Sequence, residues 1–340
     1  MTATTLEVEV DAPRRGEHPL LGFLVRRTLG ALLALFVASI LIFVGVELLP
    51  GDAASVVLGR NASPAAVQAL DRQMHLDSPA PTQYWDWLRG FVHGDLGQSA
   101  VGLAQGEKHA PIGPLISGPL KNSAILAIIT GLLMIPFSLG FGVLAAVFAG
   151  RSADRAISIV SLAAIALPEF VTGALLVTLF FVALNLLPPV ALVPPGSTAL
   201  SDPKELILPV LTLLFASLAA GIRMVRAGMI EVLGADYVQA ARLNGVSERR
   251  VLWRYGLRNG LAPSVQVLAQ NLQYLVGGII ITEAVFAYPG IGTQLVNAVQ
   301  QRDLTMVQSV AMLIAVVYVL LNLVADVLVV LLVPKLREPA

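Results

Sequence analysis

Residues able to do chemistry are few in this sequence, and they are scattered. There are four histidines, His18, His75, His93 and His109, and no cysteine. Without a thiol there is no disulfide, no thiolate metal site and no cysteine nucleophile. No two histidines are spaced i, i+3 or i, i+4, as ligands sharing a helix face would be, and three fall in one polar stretch. Solvated loop histidines are therefore the stronger reading and metal ligands the weaker. No Gly-x-x-x-x-Gly-Lys-Ser/Thr phosphate loop occurs, so the chain lacks the means to hydrolyse ATP itself. The polar groups that stand out lie in apolar surroundings: Glu169 directly after Pro168, the amides Gln266, Gln270 and Gln273, the pair Asn322 and Asp326, and Glu283.

Inside a membrane a charge such as Glu169 costs roughly 3 kcal/mol or more unless it finds water or a partner. Two readings stay open: it faces a water-filled path, or it is a protonated or hydrogen-bonded packing residue beside a proline kink. At 100° per residue Gln266, Gln270 and Gln273 share one helical face, while Asn271 does not. That stripe is assigned to a pore or to a partner subunit. Asn322 and Asp326, spaced i, i+4, suit an interhelical hydrogen-bond site better than a substrate contact. Scattered carboxylates with no histidine among them make a membrane enzyme the weakest functional class.

The elements that carry these residues must themselves be membrane helices. With 56% hydrophobic and 13% charged residues and a mean hydropathy of +0.79, most of the chain must face lipid. A net charge of zero argues against a nucleic-acid partner, which would need a basic surface. Six stretches approach the roughly 20 apolar residues that a crossing requires: Thr28 to Leu49, Ile125 to Ala149, Ala156 to Leu187, Leu206 to Ile222, Leu261 to Ile281 and Leu304 to Val333. The first reads as a retained anchor, because it is too long for a signal-peptide core and ends without a small-residue cleavage site. Fifteen of the 22 lysines and arginines lie before the first stretch, after the second and fourth, and after the last, which places those regions in the cytoplasm. The expectation is an all-α membrane protein of six transmembrane helices with both termini cytoplasmic. Its parts are a cytoplasmic segment 1–27, the first helix 28–49, a small helical extracytoplasmic region 50–120, a core 121–333 and a tail 334–340.

In the outer region, Ser63-Pro64 reads as an N-cap followed by proline at the first helical position, with Ala66, Val67, Leu70 and Met74 at helical spacing. Tyr84, Trp85, Trp87, Leu88, Phe91 and Val92 form an aromatic cluster, either an interfacial belt or a seat for a delivery protein. Five prolines between positions 188 and 203 predict a stiff, non-helical loop. The cytoplasmic stretch 223–260 is longer than a turn needs. Within it Asp236 to Asn244 reads as a short helix stopped at Gly245, which can take a positive φ. Ser247 as N-cap and Glu248 at the positive helix end start a second. On the residues alone, an amphipathic hairpin on anionic headgroups, with Arg242, Arg249, Arg250, Arg254 and Arg258, competes with a surface built for a partner.

Gln239-Ala240-Ala241, three residues and then Gly245 resembles the Glu-Ala-Ala…Gly loop in membrane subunits of binding-protein-dependent ATP-binding-cassette importers. Further motifs follow in order: Pro50-Gly51-Asp52, Gly94-Asp95-Leu96-Gly97 with Ser99, Arg258-Asn259 before Pro263, and Glu283-Ala-Val-Phe-Ala-Tyr-Pro-Gly-Ile-Gly292. Together they are similar to the dipeptide, oligopeptide and nickel permease branch over nearly the whole chain. Gln239 stands where the broader family has glutamate, and Tyr255-Gly-Leu-Arg258 where it has Ile-x-Leu-Pro, both familiar in the peptide branch.

The resemblance implies a type I importer permease fold in the bacterial cytoplasmic membrane, forming half of a pore for di- to oligopeptides. Nickel chelates or glutathione are the alternative cargo. A secondary transporter is the rival class, but no repeat relates residues 20–150 to the remainder. The implied partners are a homologous second permease, one or two cytoplasmic ATPase subunits, an extracytoplasmic binding protein and the lipid bilayer. ATP and Mg would be bound by the ATPase subunits, leaving no cofactor, metal or catalytic residue in this chain. Asp236, Tyr237, Gln239, Ala240, Ala241, Asn244 and Gly245 then couple to the ATPase. Glu169, Gln266, Gln270 and Gln273 line the substrate path, where Glu169 could meet the ammonium end of a peptide.

Overall fold

The computed structural model describes residues 19–48, 57–58, 63–74, 77–194, 197–260 and 262–332. Pro50-Gly51-Asp52, His18, His75 and both terminal segments therefore lie outside the described residues. Among the described residues the regular elements are helices, with one isolated bridge between Gln98 and Pro111. Helix α1 (Pro19–Glu47) is followed by three shorter ones, α2 (Pro64–Gln73), α3 (Ala80–Val92) and α4 (Ala100–Ala104), and then by the long α5 (Ile112–Val147). Next come α6 (Ser152–Ala166), α7 (Glu169–Val177, continued as a π-helical turn over Thr178–Ala183) and α8 (Pro203–Gly234). The short α9 (Asp236–Leu243), α10 (Glu248–Arg250) and α11 (Arg258–Gly260) lead into α12 (Ala262–Phe286), α13 (Ile291–Gln301) and α14 (Leu304–Leu332). Among the described residues four helices are long and apolar enough to cross a membrane, or up to six spans if each of two bent pairs counts as one.

α8 lies at the centre, against α5, α6, α7 and α12, and buries Leu206, Leu213, Val225 and Met229 along its length. α1 sits at the periphery, and its leucines at 29, 32, 33 and 41 are exposed, as side chains facing lipid would be.

Several helices depart from the bounds that hydrophobicity alone suggests; α1 already starts at Pro19 and not at Thr28. α5 starts at Ile112 rather than Ile125, because Ile112 and Ile116 bury themselves against Ile291, Ala298 and Val310. The third apolar stretch is two helices at 113° to one another. Pro168 lacks an N–H, and the residue before a proline is driven to extended geometry; Leu167 accordingly sits at φ −93° and ψ 128°. Glu169 therefore opens α7 at the bend instead of lying within one continuous helix. α8 runs on to Gly234, so the stretch from Arg223 begins as helix and not as loop. On that extension Arg226 donates two hydrogen bonds to Asp154 at 2.6 and 2.9 Å, tying α8 to the start of α6.

The short helices between α1 and α5 follow their local signals. The Ser63 hydroxyl accepts from the Ala66 N–H at 3.2 Å with Pro64 as the first helical residue. Part of the aromatic cluster of α3 packs inward on α1: Tyr84 shares a 2.9 Å hydrogen bond with Ser39, and its ring meets Phe43 edge-on at 5.4 Å, while Trp85 and Val92 are exposed. The proline-rich stretch before α8 is non-helical where described.

Candidate functional site

α9 is an eight-residue amphipathic helix laid against the end of α8. Val238 and Ala241, spaced i, i+3, are its buried side chains and face inward. Asp236, Tyr237, Gln239, Ala240, Leu243 and Asn244 are exposed, Leu243 by 90%. Of the residues predicted to couple to a partner, only Ala241 points into the protein, where it supports the surface without forming it.

Gly245 ends α9 at φ +78°, a left-handed conformation that glycine adopts without a Cβ penalty. Its N–H donates to the Arg242 carbonyl at 3.0 Å, and the Val246 N–H donates to the Ala241 carbonyl at 3.1 Å. Across this elbow Arg242 grips Glu248 with two hydrogen bonds, at 2.8 and 3.3 Å, and reaches back to the Leu233 carbonyl at 3.2 Å. Gln239 donates to the Gly234 carbonyl at 3.2 Å and Asn244 to the Ala240 carbonyl at 2.9 Å. The elbow is thus held at a fixed angle while its outer face stays free.

The second helix of the loop departs from the simple reading. Ser247 has the backbone geometry of an N-cap but its side chain caps nothing, and Glu248 is drawn to Arg242. After α10 the chain widens into a π-helical turn, Val251–Leu257, which buries Val251 and Gly256 and packs against α8. Apolar periodicity carries no signal for such widening.

The polar residues within the helices are divided by the structure. Glu169 is 6% exposed and packs beside Tyr274 of α12. A Cβ at Gly278 would strike its carboxylate, so the glycine makes the notch in which Glu169 sits. The amide stripe does not act as a unit. Gln273 donates to Asn322 of α14 at 2.9 Å, Gln270 is exposed, and the Gln266 side chain lies outside the described residues. Asn271 instead donates to the Ser217 carbonyl of α8 at 3.0 Å. Asp326 meets Arg27 of α1 at 3.1 Å, so both Asn322 and Asp326 join helices.

Two further polar centres lie at the opposite end of α12. Glu283, fully buried, accepts from the Ser123 hydroxyl of α5 and from the Gly292 and Thr293 N–H groups at 2.7 and 3.3 Å, capping α13 across the bend. Tyr288 donates to the Asn122 carbonyl at 2.8 Å, and Asn122 donates back to the Pro289 carbonyl at 3.0 Å. Asp303 accepts from the Ser99 hydroxyl, from the Ala100 N–H at 3.1 Å and from the Met306 N–H at 3.2 Å. One carboxylate therefore caps both α4 and α14. An Asp directly before the apolar run of the last helix is a legible N-cap signal; its second partner, some two hundred residues away, is not.

The chain belongs to the family of binding-protein-dependent transport system inner membrane components. The family profile matches residues 138–338, and a profile for the N-terminal part of such membrane components matches residues 20–111. The chain is similar to the Glutathione transport system permease protein GsiC of Escherichia coli strain K12, with 34% identity over 318 residues, covering 94% of this chain and 99% of that one. The proteins of that name from Shigella dysenteriae serotype 1 and Shigella flexneri serotype 5b match with the same identity and coverage, 34% over 94% of this chain and 99% of theirs. It is a multi-pass cytoplasmic-membrane subunit of an ABC importer, in the peptide, nickel and glutathione branch.

Proposed function

We propose that this permease forms half of the path by which small peptides, glutathione among them, enter the cell when ATP is hydrolysed on partner subunits. A homologous second permease completes the pore, an extracytoplasmic binding protein delivers the cargo, and one or two ATPase subunits, which hold the ATP and Mg, close beneath it. The observation that carries this reading is the exposed face of α9, with Asp236, Tyr237, Gln239, Ala240 and Asn244 outward on an elbow fixed by Gly245 and Arg242. A helix that merely lay on headgroups would not require that rigid bracing. In this reading α9 enters a groove of the ATPase, and closure there pulls on α8 and α12 from both sides of the loop.

Glu169, with Gln270 and Gln266, lines the cargo path in this proposal, while Gln273 holds α12 to α14 beside it. The cargo name borne by the relatives supports a small peptide as substrate. The test is uptake of labelled glutathione and dipeptides into vesicles holding the whole complex, with ATP on the ATPase side. Uptake is expected to require ATP, and Glu169→Gln to slow it while leaving assembly and basal hydrolysis intact. If Glu169→Gln instead prevents assembly, Glu169 is a packing residue and leaves the path.

The two bent pairs each count as one crossing, giving six spans with both termini cytoplasmic. Reporter fusions check this. A fusion after Arg89 reports outside and one after Arg249 inside; the reverse at either position defeats the topology.

A further inference from the structure

α1 packs on α14 and touches α3, and its side chains are otherwise largely exposed. Where α1 meets the second half of α14, the two helices leave an open slot of about 550 Å³. Arg26 and Arg27 stand at its rim, Gly30, Ala31 and Ala34 form its floor, and Asp326 faces them from α14.

The depth of the slot follows from helix geometry. At 1.5 Å per residue the helix from Arg27 to Glu47 covers about 30 Å, the thickness of the hydrocarbon layer. With Glu47 at one boundary, Arg26 and Arg27 stand at the other, level with lipid phosphates. Arg27 is committed within the protein: its guanidinium lies 3.1 Å from Asp326 and 5.6 Å from the centroid of the Phe23 ring. Arg26 is exposed and, among the described residues, has no carboxylate within ion-pair distance. Among the described residues, two arginines against one aspartate leave one net positive charge at the rim. Below it the floor is bare, since a Cβ on Gly30 would meet nothing within 4 Å.

A guanidinium fork suits the oxygens of a phosphodiester, and an apolar floor of small side chains suits an acyl chain. We propose that this slot binds one anionic phospholipid, its phosphate on Arg26 and one acyl chain along Gly30, Ala31 and Ala34. The single net charge selects an anionic headgroup such as phosphatidylglycerol over phosphatidylcholine, whose own ammonium opposes Arg26. The lipid in turn fills the slot that α1 and α14 leave between them, steadying a peripheral helix whose packing rests mainly on α14. The proposal does not depend on the cargo or on the coupling role of α9.

The test is native mass spectrometry of the whole complex released from vesicles of phosphatidylglycerol and phosphatidylcholine in equal parts. Phosphatidylglycerol is expected to be retained roughly fivefold over phosphatidylcholine, the effect of one basic residue at the surface. Arg26→Gln removes the charge, and Gly30→Leu fills the floor without touching Arg27 or Asp326; each is expected to bring the ratio close to one. Both positions are exposed, so thermal midpoints of the variants in detergent should match that of the parent. An unchanged ratio in either variant overturns the proposal. So does an absent preference in the parent, as when another chain or segment covers the slot, or displacement by inorganic phosphate, which would make the site one for the free ion.

Discussion

The chain's most recognisable motifs lie on either side of α12, one in the loop that leads into it and one at the bend that ends it, and they are built in opposite ways. At one end the bend from Glu283 to Gly292 is buried: the carboxylate, Ser123, Asn122 and Tyr288 join α5, α12 and α13. In the loop that precedes it the elbow at Gly245 is exposed, with the outward side chains of α9 bonded only within the loop and its neighbours and its ion pair, Arg242 to Glu248, open to solvent. A motif whose polar atoms are all consumed inside the molecule sets its shape. One whose polar atoms serve only to hold an angle, leaving a clean face outward, is shaped for something outside. The same chain thus separates rigidity from recognition by about the length of a membrane helix.

The largest expected effect lies at the buried end. Glu283→Ala leaves the Ser123 hydroxyl and two backbone N–H groups without their acceptor in a site closed to water, and each such loss costs about 1–3 kcal/mol. The expected outcome is a loss of roughly 3 kcal/mol or more, read as a sharply lowered thermal midpoint or failure of the complex to assemble. A variant that assembles and melts like the parent would show that the bend is held by its backbone alone, and the contrast between the two ends would dissolve.

The same contrast explains what the sequence made legible. The elbow could be read locally, because a glycine after a short amphipathic helix signals a left-handed stop, and φ +78° at Gly245 fits it. Ser63-Pro64 was legible for the same reason, since a cap and a proline speak only of their own helix. The length of α8 was not, because Arg223 and Arg226 look like loop residues until Asp154 supplies the partner that keeps Arg226 on a helix. Nor was the notch under Glu169, which depends on Gly278 more than a hundred positions away. Pro168 was visible, yet its consequence, a bend of 113° and not a mild kink, depends on how α7 packs against α8 and α12. Local chemistry is written in order along a chain; pairing across it is not.

At the exposed end the effects on stability should be smaller and those on function larger. Gly245→Val places a β-branched residue at φ +78°, a strain of roughly 1 to 3 kcal/mol. No atom lies within 4 Å of a Cβ added there, so the backbone alone bears it. The expected outcome is a complex that still assembles, with a modestly lowered midpoint, but in which cargo-stimulated ATP hydrolysis no longer drives uptake. Normal coupling in a variant whose midpoint has fallen would show that the angle at the elbow is not what transmits closure.

The smallest change in stability and the cleanest test of recognition is Ala240→Glu. Ala240 is exposed, one turn from Asp236 and Asn244 on the outward face, and its side chain makes no contact that the fold uses. Glutamate is a good helix former, so α9 itself should lose no more than about 0.5 kcal/mol and the midpoint should scarcely move. What changes is the surface: a methyl group that a groove could close upon becomes a charged chain that must be desolvated or excluded. The ATPase subunits should therefore be lost on purification, though the permease remains folded and in the membrane. Gly245→Val should show the reverse pattern, with ATPase retained and coupling lost. If Ala240→Glu holds its ATPase and takes up cargo at the parental rate, the outward face of α9 is not the docking surface. The arginines of the loop would then be read as contacts to lipid headgroups, and the exposed elbow would lose the role that sets it apart from the buried bend.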